Sequence, residues 1–192
     1  ENAWLDRVAS ANDEMVVVDT TAGIERIEEG GNPDPHIWLS PSLVRTQAAT
    51  MADAFASADP ANADVYEANL IAFLEDIDEL DAGIRETLAG VEERRFMVFH
   101  PSWRYFARDY ELEMIPIEVG GQEPSAAEMA RLIARAEEEE IQVIFAQPEF
   151  STEAAETIAG EIGGEVLLIS PLAEDWLDNL GRVAETFAEH LG

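Results

Sequence analysis

The sequence predicts an α/β protein: a doubly wound parallel-sheet lobe joined by a long connecting helix to the remnant of a second α/β lobe. Three observations carry this reading. From Arg95 onward, short continuous apolar runs alternate with amphipathic segments, the pattern of parallel strands covered on both faces. Ahead of them, residues 61–89 carry one unbroken apolar stripe. Residues 1–58 hold only about one strand and one or two helices, too few for a lobe of their own. The expected division is therefore 1–58 for the C-terminal part of the N-terminal lobe, 59–92 for the connecting helix, and 93–192 for the C-terminal lobe.

The elements follow in order. Residues 15–19 (Met-Val-Val-Val-Asp) read as a short buried strand. The Gly/Pro/Asp-rich stretch Gly30 to Pro35 reads as a loop leading into His36-Ile37-Trp38-Leu39. Ser40 followed by Pro41 marks a helix start, with Ser as N-cap and Pro at the first helical position, running to about Ser57. After Asp59-Pro60 a second helix repeats Tyr66, Leu70, Phe73, Ile77, Leu80, Ile84 and Leu88 at spacings of three and four. About 28 residues at about 1.5 Å each give roughly 40 Å of rod, which fits a strut between lobes. A break near Gly83 would make it an ordinary core helix instead.

Strands are expected at 96–99, 114–117, 143–146 and 166–169. Ser125-Ala-Ala-Glu128 is a capping box. It opens a helix with Met129, Leu132, Ile133 and Ala136 on one face. Ser151 caps the next helix, which ends at Gly163-Gly164. The last helix carries Leu177, Leu180, Val183, Phe187 and Leu191. Glu137–Glu140 is a solvated helix end.

Composition removes several functions. Asp and Glu number 41 against 11 basic residues, for a formal net charge of -30, and every basic residue is Arg. Such a surface repels phosphate backbones and anionic headgroups, so neither a nucleic-acid partner nor docking on anionic lipid is expected. It serves either as a solvation device for high salt or as a means of concentrating cations; the even spread of the acids favours the first. Without Cys there are no disulfides, thiolate nucleophiles or Cys-type zinc sites. No Gly-x-Ser-x-Gly elbow occurs, no Gly-x-Gly-x-x-Gly loop follows a strand, and a Walker loop needs the Lys this chain lacks. An enzyme is not expected. No apolar run approaches a membrane span. The start, Glu1-Asn2-Ala3-Trp4-Leu5, has no signal-peptide pattern and reads as a mature product or a fragment.

Chemistry then rests on three histidines. His190 falls in the last turn of the final helix, where a solvated role is the simpler one. His100 directly follows an expected strand, at the sheet edge where α/β ligands bind, together with Gln147-Pro148-Glu149 and Ser170-Pro171. His36 ends a loop before a helix and can point into a cleft. Neutral imidazole suits zinc, manganese or iron. Neither His belongs to a local zinc spacing, so structural roles stay open for both on this ground alone.

The runs NPDPHIWLSP, FMVFHPSWRYFARDYELEMIPIEVGGQEPS, VIFAQPEFSTEAAETIAGEIGGEVLLISPLAEDWLDNL and the opening ENAWLDRV resemble the zinc/manganese substrate-binding proteins of metal ABC importers, over essentially the whole chain and in order. The resemblance implies two α/β lobes joined by one rigid helix, with the metal held between them. It implies His36 and His100 as metal ligands, and Zn²⁺ rather than Mn²⁺, because manganese-type members often carry Glu at the second position. It further implies an extracytoplasmic monomer, possessing no membrane-inserted segment in this chain, that hands metal to an ABC permease. Two departures stand out. The family's first His has no counterpart and is expected upstream of Glu1, and the fourth ligand, usually an Asp, aligns with Ser170. Water or a carboxylate such as Glu118 or Glu149 is the candidate to take its place. An adhesin-like or scaffold relative, its metal structural or lost, is the alternative, and a metal hydrolase with an open coordination position a third.

Overall fold

The computed structural model describes residues 3–12 and 14–191. The chain runs through helix α1 (Ala3–Ala9), a hairpin of β1 (Glu28–Glu29) and β2 (Asn32–Pro33), a 3-10 turn (Ile37–Leu39), α2 (Pro41–Ala58) and α3 (Ala63–Leu88). There follow β3 (Arg95–Val98), α4 (Arg104–Asp109), β4 (Glu113–Pro116), α5 (Ala126–Glu138), β5 (Val143–Ala146), α6 (Glu153–Ile162), β6 (Glu165–Leu168) and α7 (Trp176–His190).

Strands β3 to β6 form one parallel sheet in the order β4-β3-β5-β6. Because side chains alternate along a strand, each strand feeds two cores. Phe96, Val98, Val143 and Phe145 face α3, α4 and α7, meeting Ile84, Leu88, Phe106 and Phe187. Met97, Ile144 and Ala146 face the other way, onto Ala136 of α5 and Ala155 and Ile158 of α6. The sheet is thus doubly wound. Its order reverses between β3 and β5, since the chain leaves β3 for β4 on one side and later returns to β5 on the other.

The long helix forms without a break at Gly83, and its 26 residues span about 39 Å at about 1.5 Å each. Ile77, Ile84 and Leu88 are buried, so the lower part of the stripe packs on the sheet lobe. The upper part pairs with α2, where Tyr66 stacks on Phe55 with ring centroids 5.5 Å apart. The Ser125–Glu128 capping box closes as expected, with both reciprocal bonds present. Ser40 caps α2 by accepting the Leu43 N–H at 3.2 Å.

Four expectations are corrected. Residues 15–19 are not a strand, and Val16 is 77% exposed. A parallel strand exists only beside hydrogen-bonded neighbours, and among the described residues no strand pairs with this segment. The stretch from Gly30 to Pro35 is not all loop: Asn32-Pro33 pair with Glu28-Glu29 as a hairpin, and Gly30-Gly31 form its tight turn, both at positive φ (58° and 82°) as such a turn demands. Helix α6 starts one residue later than Ser151 predicts: Thr152 is the N-cap residue, while the Ser151 hydroxyl accepts the Glu153 N–H at 3.3 Å. Glu139 is not simply solvated, for it pairs with Arg95 and Arg135.

Helix α6 ends in a left-handed residue, Gly163 (φ 70°), with the Gly164 N–H returning to the Ala159 carbonyl at 2.8 Å. Gly164 lies tight against β5: a Cβ there would fall inside hard contact with the Gln142 carbonyl oxygen, with its carbon at 2.9 Å. Gly164→Ala is expected to cost about 1–3 kcal/mol of stability, measured by urea unfolding, because backbone rather than a flexible side chain must move.

Candidate metal site

His36 and His100, 64 residues apart in sequence, meet. Their Nε2 atoms are 3.3 Å apart and their ring centroids 5.2 Å, at an interplanar angle of 77°. They stand in a cleft of about 770 Å³ between the β1–β2 hairpin side and the loops after β3 and β4. This is the carboxyl end of the sheet at its switch point, where open α/β sheets bind ligands.

Local sequence sets each ring. The Gly30-Gly31 turn reverses the chain so that Asp34 donates its N–H to the Ile27 carbonyl at 2.7 Å. Buried Tyr105 fastens the same segment from the opposite lobe, donating to the Asp34 carbonyl at 2.9 Å and accepting the Ile27 N–H at 3.1 Å. Burial raises the Tyr105 phenol above its ordinary range, which keeps it a neutral donor. One Asp34 oxygen then accepts both the His36 main-chain N–H (2.8 Å) and His36 Nδ1 (2.7 Å), while the other faces Arg104 at 3.4 Å. Beyond His36, the 3-10 turn is latched by two indoles. Trp38 Nε1 donates to the Pro171 carbonyl at 2.8 Å, and Trp176 Nε1 to the Trp38 carbonyl at 2.7 Å.

His100 leaves the end of β3. Its Nδ1 lies 2.6 Å from Glu118 Oε2, brought alongside because the Glu118 N–H continues the β3–β4 ladder onto the Phe99 carbonyl. Phe150 stacks on the His100 ring at 4.8 Å.

The two imidazoles therefore have the same arrangement. Each Nδ1 faces a carboxylate that is buried (Asp34 2% and Glu118 9% exposed in the side chain), an arrangement that favours the Nδ1–H tautomer, in which the Nε2 lone pair is turned to the cleft. Two lone pairs pointed at one another repel, and a cation between them relieves this. Zn–N bonds of about 2.0–2.1 Å at the tetrahedral angle place two nitrogens about 3.3–3.4 Å apart. The observed spacing fits that ion.

Other residues singled out in the sequence lie apart from the gap. Ser170 donates its hydroxyl to Glu149 and accepts the Leu172 N–H at 3.1 Å, and neither Ser170 nor Glu149 lines the cleft. Glu118 is engaged with Nδ1. His190 sits at the far end of α7, 3.7 Å from Glu165. Among the described residues no group of three or more His, Asp or Glu is arranged to hold a metal. The chain brings two nitrogen donors to the gap, where a tetrahedral zinc takes about four. Sequence reasoning overlooked Asp34 as the orienting partner of His36, although an Asp two residues before a His was a readable signal, and it left Gln147 and Phe150 without a role.

The family model for the zinc-uptake complex component A, periplasmic (ZnuA), matches residues 1–190. The chain belongs to this family. It is 48% identical to the protein in a crystal structure of ZnuA, with a TM-score of 0.97, covering 100% of this chain and 76% of that one. A ZnuA deletion mutant with zinc bound is similarly close, at 48% identity and a TM-score of 0.93, covering 100% and 75%. The high-affinity zinc uptake system protein ZnuA of Bacillus subtilis (strain 168) is 33% identical over 141 residues, 72% of this chain and 44% of that protein. The match thus spans less than half the length of this curated member of the family.

Proposed function

We propose that this chain forms the metal-binding part of an extracytoplasmic receptor that captures Zn²⁺, with Mn²⁺ as the weaker alternative, and delivers it to an ABC permease. His36 and His100 are its ligands from this chain. Residues 1–58 belong to one lobe, 59–92 connect, and 93–192 form the other lobe. The observation that carries the reading is the facing Nε2 pair at 3.3 Å with each Nδ1 on a carboxylate. Supporting it, members of the family are named for zinc uptake, and imidazole prefers zinc to the harder manganese. The role is capture and release, with no chemical step. An acidic surface, net -30, draws cations toward the cleft without specifying one.

The test is calorimetric titration of the full chain with Zn²⁺ and Mn²⁺. Zinc is expected to bind at one site and more tightly than manganese; no zinc binding would refute the reading. Asp34→Asn and Glu118→Gln are each expected to weaken zinc about 10–100-fold, because they remove the partner that sets the ring's tautomer and basicity. Parental affinity in both variants would show that the carboxylates do not act through the rings.

A further inference from the structure

We propose that Gln147 is a positioning residue for His100, fixing its main chain and thereby where its Nε2 stands in the cleft. The inference rests on the assignment of His100 as a ligand. It starts from an end-of-ladder problem. Strands β3 and β5 are hydrogen-bonded neighbours, and their last backbone rung is the Phe99 N–H on the Phe145 carbonyl at 2.9 Å. His100 comes next, past the last peptide rung, on a segment that must leave the sheet to reach the cleft. Its main-chain groups need partners that the ladder no longer supplies.

Gln147 provides them. It follows β5 directly and is wholly buried. Its Oε1 accepts the His100 N–H at 3.1 Å and its Nε2 donates to the His100 carbonyl at 2.7 Å. A side-chain amide carries the donor and acceptor of a peptide unit, so Gln147 adds one further two-way rung in side-chain form. The His100 carbonyl also accepts the Ser102 N–H at 2.8 Å, which turns the chain into α4. The Gln147 amide also donates to the Ser102 hydroxyl at 3.3 Å.

The same turn touches the ring. The Phe150 N–H closes onto the Gln147 carbonyl at 3.1 Å, and Phe150 lies against the His100 imidazole. His100 is thus held at its main chain by Gln147, at Nδ1 by Glu118 and on its face by Phe150. Gln147 alone of these three holds the main chain on both sides of the Cα from which the ring projects. A ligand site tolerates errors of only about 0.5 Å before geometry is lost, so a released His100 backbone loosens the metal even with the ring intact.

The experiment compares the parent chain with Gln147→Met and Ser102→Ala. Gln147→Met keeps the volume and removes both bonds to His100. Ser102→Ala removes a buried partner of Gln147 and leaves those two bonds in place. Zinc titrations are run well below each melting temperature, and NMR of the metal-free chains reads the cross-relaxation between the His36 and His100 ring protons. Gln147→Met is expected to weaken zinc about tenfold or more and to lose the inter-ring signal, while Ser102→Ala keeps both within about twofold of the parent. Gln147→Asn, which retracts the amide by one methylene, is read the same way, so the test does not depend on one variant folding. Parental zinc affinity and an intact inter-ring signal in the Gln147 variants, or equal losses in Ser102→Ala, overturn the proposal. His100→Ala, run in parallel, separates the two claims: parental binding there removes the ligand assignment itself.

Discussion

His100→Ala and His36→Ala are each expected to weaken zinc binding by more than about 100-fold, beyond the ~10–100-fold expected from loss of an orienting carboxylate. The size follows from the ligand count. The described part of the cleft supplies two imidazole nitrogens to an ion that takes about four donors, so either substitution removes half of what this chain contributes. Each also takes the imidazole partner from a buried carboxylate, Asp34 or Glu118. Asp34 still accepts the main-chain N–H of residue 36 and faces Arg104, whereas Glu118 loses its bond to the imidazole Nδ1. Isothermal titration on both variants, with circular dichroism to verify folding, provides the check. If both bind zinc as the parent does, these two rings are not the site.

Phe187→Ala is expected to cost about 3–5 kcal/mol of folding stability. Phe187 is fully buried on α7, with ring centroids 4.7 Å from both Phe96 and Phe145 and 5.8 Å from Phe106. It joins the last helix to two central strands and to α4, so truncation leaves a cavity where four aromatic rings now interlock. For a domain stable by about 5–15 kcal/mol this is a large share. Urea unfolding should show a lower midpoint with an unchanged slope. A loss under about 1 kcal/mol would mean that the site collapses freely, contrary to its packing. Zinc affinity of the folded variant should remain near parental, since Phe187 touches neither ring.

Much of the fold was legible because its signals are local. The apolar stripe of α3 repeats every three or four residues whatever it packs against, and it produced one helix through Gly83. The four runs of the sheet lobe are continuously apolar because both faces are covered, and all four became parallel strands within one residue of the predicted limits. The failure at Met15–Asp19 has the same origin. An apolar run reports a need for burial but not what will meet it, and a strand is defined by its neighbour.

The site was half legible. His36 and His100 stood out as rare residues next to a helix start and a strand end, and the family resemblance paired them. Spacing could not, because 64 residues and two turns of topology separate them. Ser170 and Glu149 were candidates by position after strands, yet they bond to one another and stay off the cleft wall.

The sequence by itself determined the alternation of strands and helices, the long α3 rod, the caps at Ser40 and Ser125, and which rare side chains were available for metal. These depend on periodicity and on groups within a few residues of each other. Tertiary structure alone decided that two Nε2 atoms face one another at 3.3 Å, that Glu118 turns the His100 ring, and that Gln147 holds the His100 backbone. Those facts depend on how β3, β4 and β5 are ordered in the sheet and on Tyr105 and Trp38 drawing the hairpin side onto it. Distances between remote groups are set by packing, which no local pattern encodes.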